Sequence, residues 1–361
     1  MTQRERYLAT LEFRPVDKPF VRAVGGWLET GERWRREGWD GTALHEMFDT
    51  DIVLSTAVYY GPVPRFEYQV LEEDDKTKLY VNHEGIVMRE FKDYSGNSSM
   101  PQFVRFPVAD DADFESLCAE RLQVSFADRV PESWQAQVAS WEGRDMPLMN
   151  FADRWGGFFG PLRNLLGVEN LCIAFYDNTS LVERMMDQRV EAIIGITERV
   201  LEAVQIDTFA FWEDMGYKTA SLLSPEMFRK FMLPRYAEVT QWVRSKGVKH
   251  VGVDSDGDVS ELVPLWLEAG LDLVWPFEVA SGMDVVALRR EYGRDLAMIG
   301  GIDKRAVAIG GQAMRDEVDR IMPVVDSGGY IPELDHSAPP DISWTNMCEY
   351  MEYLLMRLGR G

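Results

Sequence analysis

Three carboxylates at alternate positions, Asp254, Asp256 and Asp258, follow directly on the apolar run 248–253. Such a run reads as a buried parallel strand, and its carboxyl end is where open α/β sheets and β/α barrels hold their chemistry. A helix cap explains one such Asp; packing does not ask for three together. The pattern repeats along the chain. Asp153-Arg154-Trp155 follows the run 147–152, Glu213-Asp214 follows 208–212, Glu278 follows 271–275, Asp303 follows 296–299, and Glu333-Leu334-Asp335-His336 closes the run that starts at 329. Convergent carboxylates with one imidazole suit two chemistries, coordination of a divalent metal and general acid–base work.

His336 is the sharpest single residue. Two prolines, Pro339 and Pro340, fix the loop after it as extended, and Ser343 is placed to cap the last helix. His250 stands at a strand start and reads as structural, while His45 and His83 carry no local signal. The pairs Gly25-Gly26, Gly156-Gly157, Gly300-Gly301 and Gly310-Gly311 match neither a phosphate-binding loop nor GxGxxG, so they read as turns or close backbone approaches. Trp155, Phe158, Phe159 and Trp212 lie near strand ends, where they serve either core packing or an apolar pocket wall.

The elements that must position these groups follow from periodicity. Amphipathic helical runs at 180–205, 225–246 and 283–292 alternate with the apolar strand runs, which argues for parallel βαβ units. A further helix is expected from about Val259. Earlier in the chain, residues 2–11 read as a helix, 20–24 as a first strand, and the stretch from Gly25-Gly26 to Trp39 as a charged helix. Short alternating runs over 63–107 predict an inserted β-meander. The expectation is one α/β domain over 1–361, a (β/α)8 TIM-like barrel most regular over 145–345, with an N-terminal helical and β-meander insertion.

Composition narrows the function classes. The 361 residues carry 60 acidic against 38 basic side chains, a formal charge of −22, which repels nucleic-acid phosphates and anionic lipid. Cys118, Cys172 and Cys348 stand in no metal-binding or disulfide spacing, so a reducing, cytoplasmic setting is expected. The charged N-terminus does not read as a signal peptide, and no run approaches the length of a membrane span.

Several segments resemble the uroporphyrinogen decarboxylase superfamily, which includes cobalamin-dependent methyltransferases acting on methanol, methylamine or aryl ethers. They are Met47-Phe48-Asp49-Thr50-Asp51-Ile52-Val53, Gly167-Val168-Glu169-Asn170, Ser224-Pro225-Glu226-Met227-Phe228, Asp254-Ser255-Asp256-Gly257, Pro276-Phe277-Glu278, Gly300-Gly301-Ile302-Asp303 and Gly328-Gly329-Tyr330-Ile331-Pro332-Glu333-Leu334-Asp335-His336. The resemblance implies a distorted β/α barrel and a homodimer. Asp51 resembles the decarboxylases' pyrrole-binding Asp, and His336 their C-terminal-loop His. The decarboxylases' Met-Arg-Gln-Ala-Gly-Arg is missing, and Val21-Arg22-Ala23-Val24 offers the single Arg22 in its place. A substrate with many carboxylates needs several cations, so the decarboxylase proper is disfavoured. In the superfamily's zinc methyltransferases a His-x-Cys-Gly motif and a later Cys hold the metal. Asp254-Ser255-Asp256-Gly257 and His336 stand at those places here, an O,O,N donor set with Glu278 as a fourth donor for zinc or another divalent ion.

The expectation is therefore a methyltransferase that demethylates a small methoxy or N-methyl compound, with cobalamin carried by a separate corrinoid protein as methyl acceptor. Asp254, Asp256, His336 and Asp51 are the expected catalytic groups, and Asp254, Asp256, Glu278 and His336 the expected metal ligands. Arg22, Asp153, Arg154, Trp155, Glu213, Asp214 and Asp303 are expected to contact substrate. Two alternatives stay open: a carboxy-lyase acting on a porphyrinogen or smaller pyrrole acid, and a barrel that binds a small molecule without chemistry.

Overall fold

The computed structural model describes residues 1–92 and 101–360. Its strands in chain order are β1 (Leu54–Ser55), β2 (Gln69–Glu73), β3 (Thr77–Val81), β4 (Val87–Phe91), β5 (Gln102–Arg105), β6 (Leu148–Phe151), β7 (Thr208–Trp212), β8 (His250–Asp254), β9 (Leu273–Trp275), β10 (Ala297–Ile299) and β11 (Tyr330–Ile331). β1 and β6 to β11 form a seven-stranded sheet in the order β1-β6-β7-β8-β9-β10-β11. Every ladder in it is parallel. β2 to β5 form a separate antiparallel sheet of four strands, the expected meander; residues 93–100 of the 63–107 stretch lie outside the described residues.

The α/β reading and the strand positions from 145 onward hold, with β7 at the expected limits. The barrel is TIM-like, but two expectations are corrected. Residues 20–24 carry no ladder and run extended where an eighth strand would stand. Val21 O accepts from Asp51 N just ahead of β1, and Gly26 makes an isolated bridge to Ala338 beyond β11. The missed strand is β1, too short to show an alternating pattern. The helix expected from Val259 begins at Val263, because residues 255–262 form the turn that carries the acids.

Helices cover the outside for reasons legible in their sequences. Thr179–Ala203 buries Leu181, Val182, Met185, Met186, Ile193, Ile196 and Val200, the three-to-four spacing of one helical stripe, and Asn178 caps it by accepting from Leu181 N. Ser343 caps the last helix, Trp344–Arg357, as expected.

Inside the barrel, the period of two along a strand decides what reaches the mouth. Tyr7, Leu11 and Phe20 pack with Leu273, Ala297, Ile299 and Ile331 in one apolar plug. Two residues further along each element the side chain changes character: Arg22 after Phe20, Trp275 after Leu273, Glu333 after Ile331. Asp254 on β8 pairs in register with Trp275 and so points the same way. The plug supplies a dry floor, and the next inward layer is charged.

Asp51 closes the wall between the extended segment and β1. Arg6 Nη1 donates to Asp51 Oδ1 at 2.7 Å, Arg360 Nη1 donates to Oδ2, and Val21 N donates to Oδ2 at 3.2 Å. Both guanidiniums are buried and Asp51 is the acid they share; in an Asp51→Ala variant Arg6 keeps Asp17 and Arg360 keeps Asp49. We expect it to lose about 1.5–3 kcal/mol of stability in urea denaturation, the scale of lost hydrogen bonds to a charged group. A loss within about 0.5 kcal/mol, as at an ordinary surface site, would show that water replaces the carboxylate.

Candidate active site at the barrel mouth

Asp254 ends β8 with its backbone O accepting from Glu213 N. Its carboxyl points inward and receives no hydrogen bond among the described residues. Burial raises its pKa well above the ordinary carboxylate value. Repulsion from Asp256 and Asp214 adds to this, against the pull of His336 and Arg22. Two residues on, Asp256 meets His336, with Nε2 and Oδ2 3.4 Å apart. That contact raises the imidazole pKa above its ordinary value, although burial works the other way. His336 also packs edge-on against Trp27, with ring centroids 5.8 Å apart, and its Nδ1 is buried with no partner among the described residues. Trp27 is held there by the bridge between Gly26 and Ala338, reinforced by Trp27 N donating to Ala338 O.

The turn that presents these acids is held from two sides. Gly257 adopts φ 85°, and a Cβ there would come within 2.6 Å of the Gly216 backbone, so only glycine fits. Gly257 N donates to Glu278 Oε2 at 3.1 Å, and Lys304 Nζ donates to Glu278 Oε1 at 2.9 Å. Ser255 Oγ accepts from Met215 N at 3.0 Å, tying the turn to the loop after β7. Asp153, Asp214 and Phe277, just past β6, β7 and β9, all have positive φ, at 44°, 51° and 61°. Such conformations are costly for side chains other than glycine and collect at functional sites.

The other expected substrate contacts are distributed differently. Arg22 lies at the mouth, paired twice with Glu333 at 2.7 and 3.0 Å and close enough to Asp254 to lower its pKa. Asp214 faces the same charges but is shared with Arg163 at 2.9 Å. Glu213 is fully buried and points away. It accepts from the backbone N of Phe158, Phe159 and Gly160 and from the Tyr236 hydroxyl, which anchors the start of the helix Phe159–Leu166. Asp153 accepts from Tyr60 N and Trp155 N, and burial pushes its pKa to about 7. Trp155 is buried in the core with its indole N–H on Glu84, and exposed Arg154 lies over the Trp212 ring. Asp303 caps the helix Lys304–Ile309 and pairs with Arg305. Asp51 is locked between Arg6 and Arg360 in the wall. His250 bonds Asp272 at 2.9 Å, structural as expected.

The four expected metal donors do not gather around one point. Among the described residues no three His, Cys, Asp or Glu side chains gather to hold an ion. Both Glu278 oxygens are committed, to Lys304 and to Gly257 N, and His336 Nε2 faces Asp256. The four proposed donors surround an internal network and do not share a centre. Sequence reasoning assigned no role to Lys304 or Trp27 and took Asp335 only as one of the strand-end acids, because their partners are distant along the chain.

A family model described as Uroporphyrinogen decarboxylase (URO-D) matches residues 143–354. A curated uroporphyrinogen decarboxylase from Acidiphilium cryptum is 29% identical over 137 residues, 37% of this chain and 37% of that one. Another from Ruegeria pomeroyi is 28% identical over 177 residues, 46% of each. The chain thus spans less than half the length of the curated relatives it matches. A solved methyltransferase from Methanosarcina mazei superposes with TM-score 0.64 over 98% of both chains at 16% identity, a likeness of fold.

At neutral pH the raised pKa of Asp254 is a cost to folding. The folded state holds this proton more tightly than the unfolded chain does, so the group favours folding at low pH and loses that contribution as pH climbs toward its raised value. Asp254→Asn removes the ionisable group, and we expect the variant to be more stable than wild type at pH 7 by about 0.5–2 kcal/mol while losing function. The gain should vanish at pH values below the ordinary Asp range, as read by denaturation across pH. Equal stability at both ends would show that Asp254 ionises normally.

Proposed function

Because this chain belongs to the uroporphyrinogen decarboxylase family, we propose that its barrel mouth is the active site of a methyltransferase. It demethylates a small methoxy or N-methyl compound, and a separate corrinoid protein accepts the methyl group. The observation that carries this reading is the Asp254 carboxyl, without a hydrogen bond among the described residues, its pKa raised by burial, beside the Asp256–His336 pair. Breaking a methyl–oxygen or methyl–nitrogen bond leaves an anion that departs poorly unless it is protonated. Burial favours the protonated form of Asp254, which supplies the proton to the departing heteroatom. Asp256 orients His336 and favours its charged form, and His336 restores the proton after product leaves. Arg22 and Asp214 border the same space and orient the substrate.

The corrinoid, presented by its carrier, would supply the reduced cobalt nucleophile for the methyl group, while Asp254, Asp256 and His336 would serve the departing heteroatom. The mouth suits such an approach from outside: His336 and Asp256 keep 26% and 36% of their side-chain surface exposed. No step is assigned to a divalent metal, since the donors do not converge.

The curated relatives' names favour a second reading, loss of carboxylate from a pyrrole acid. Against it, Asp51, the group that would grip the pyrrole, is locked in the wall between Arg6 and Arg360.

The test is turnover with a reduced corrinoid carrier and a panel of methoxy and N-methyl compounds. Wild type should transfer methyl groups from at least one of them. Asp254→Asn should lower kcat by about 10²–10⁴-fold, the range of a general acid, with KM little changed. Carboxyl loss from a porphyrinogen without methyl transfer would replace this reading by the lyase. Saturable binding without product in either assay would leave a binding barrel.

A further inference from the structure

The unused groups around the mouth centre on Lys304. Its Nζ stands 2.9 Å from Glu278 Oε1 and 3.5 Å from Asp335 Oδ1, its backbone N donates to Asp335 Oδ1 at 3.1 Å, and its side chain is 15% exposed. The remaining oxygens of those two acids are also occupied: Glu278 Oε2 by Gly257 N and Asp335 Oδ2 by Val279 N. His336 follows Asp335 directly and feels the charges of both Lys304 and Glu278. The ammonium therefore sits at the meeting point of the loops after β8, β9, β10 and β11.

We infer that Lys304 is a built-in cation that occupies the electrostatic role a divalent ion would take at this mouth, and that its presence keeps such ions out. Two physical facts lead there. A metal site needs three or more donors free to turn toward one ion, and Lys304 with the backbone amides engages every carboxylate oxygen of Glu278 and Asp335. A divalent ion would also stand a few ångströms from a fixed positive charge. The lysine fixes Glu278, Glu278 fixes Gly257, and the acid-bearing turn is thereby held open toward its ligand. Lys304 is a positioning residue, since it touches the acids and not the expected place of substrate. The inference does not depend on methyl transfer.

Zinc titrated calorimetrically onto chelator-treated protein tests it. Wild type should show no binding that is lost in Asp254→Asn/Asp256→Asn. Lys304→Met should bind zinc at least ~10-fold more tightly than wild type, about 1.4 kcal/mol, and Asp256→Asn should cancel that gain. Lys304→Arg, which keeps the charge, should behave as wild type, a distinction that a merely structural role would not produce. Lys304→Gln replaces the Met variant if circular dichroism shows that the latter does not fold. Zinc held by wild type through Asp254 and Asp256 would overturn the inference. So would neutral variants no tighter than wild type, or an Arg variant that gains zinc as the neutral ones do.

Discussion

Burying acidic groups at the open end of a parallel sheet requires each to find a cation, a backbone N–H or a proton. This constraint shapes the mouth of the barrel. Glu333 has Arg22, Asp214 has Arg163, and Glu278 and Asp335 share Lys304. Asp256 has His336. Among these acids Asp254 has, within the described residues, neither a cation at bonding distance nor an amide, and burial favours its protonated form. Reactivity here is what is left when every neighbouring charge has been satisfied.

The same constraint explains the backbone around the site. The turn after β8 must bring Asp254 and Asp256 to one side while Gly257 reaches Glu278, and that geometry admits no side chain at Gly257. Asp153, Asp214 and Phe277 hold left-handed conformations at neighbouring strand ends. Strain of this kind persists where the surrounding packing fixes it. Here the fixing comes from Trp155 and Phe158 in the core beside Asp153, and from Arg163 on Asp214.

Much of the fold was legible in the sequence because strand and helix periods are local properties. β7 and the long helix Thr179–Ala203 are read almost to the residue from apolar spacing. β1 is not, since two residues carry no period, and 20–24 misleads because an apolar stretch predicts burial without saying what it pairs with. The acids after β8 and His336 were legible as a group by the recurrence of carboxylates at strand ends. Which of them would converge was not. Glu213 looks like Asp254 in sequence, yet it serves the amides of residues 158–160, more than fifty positions away. Lys304 was hidden for the same reason: its carboxylates lie 26 and 31 positions away.

The wall clamp at Asp51 carries a further consequence, for folding speed. Its two guanidiniums come from positions 45 and 309 residues distant in the chain. Closing a loop that long costs only slightly more entropy than closing a shorter one, but the contact is realised only once the intervening strands are in register. A topology that depends on such remote pairings acquires its last stabilising contacts late and folds slowly for its size. Until the clamp closes, the edges of β1 and β11 stay open to mispairing, so the exposure of the nascent barrel to aggregation is set by how quickly three charged side chains find one another.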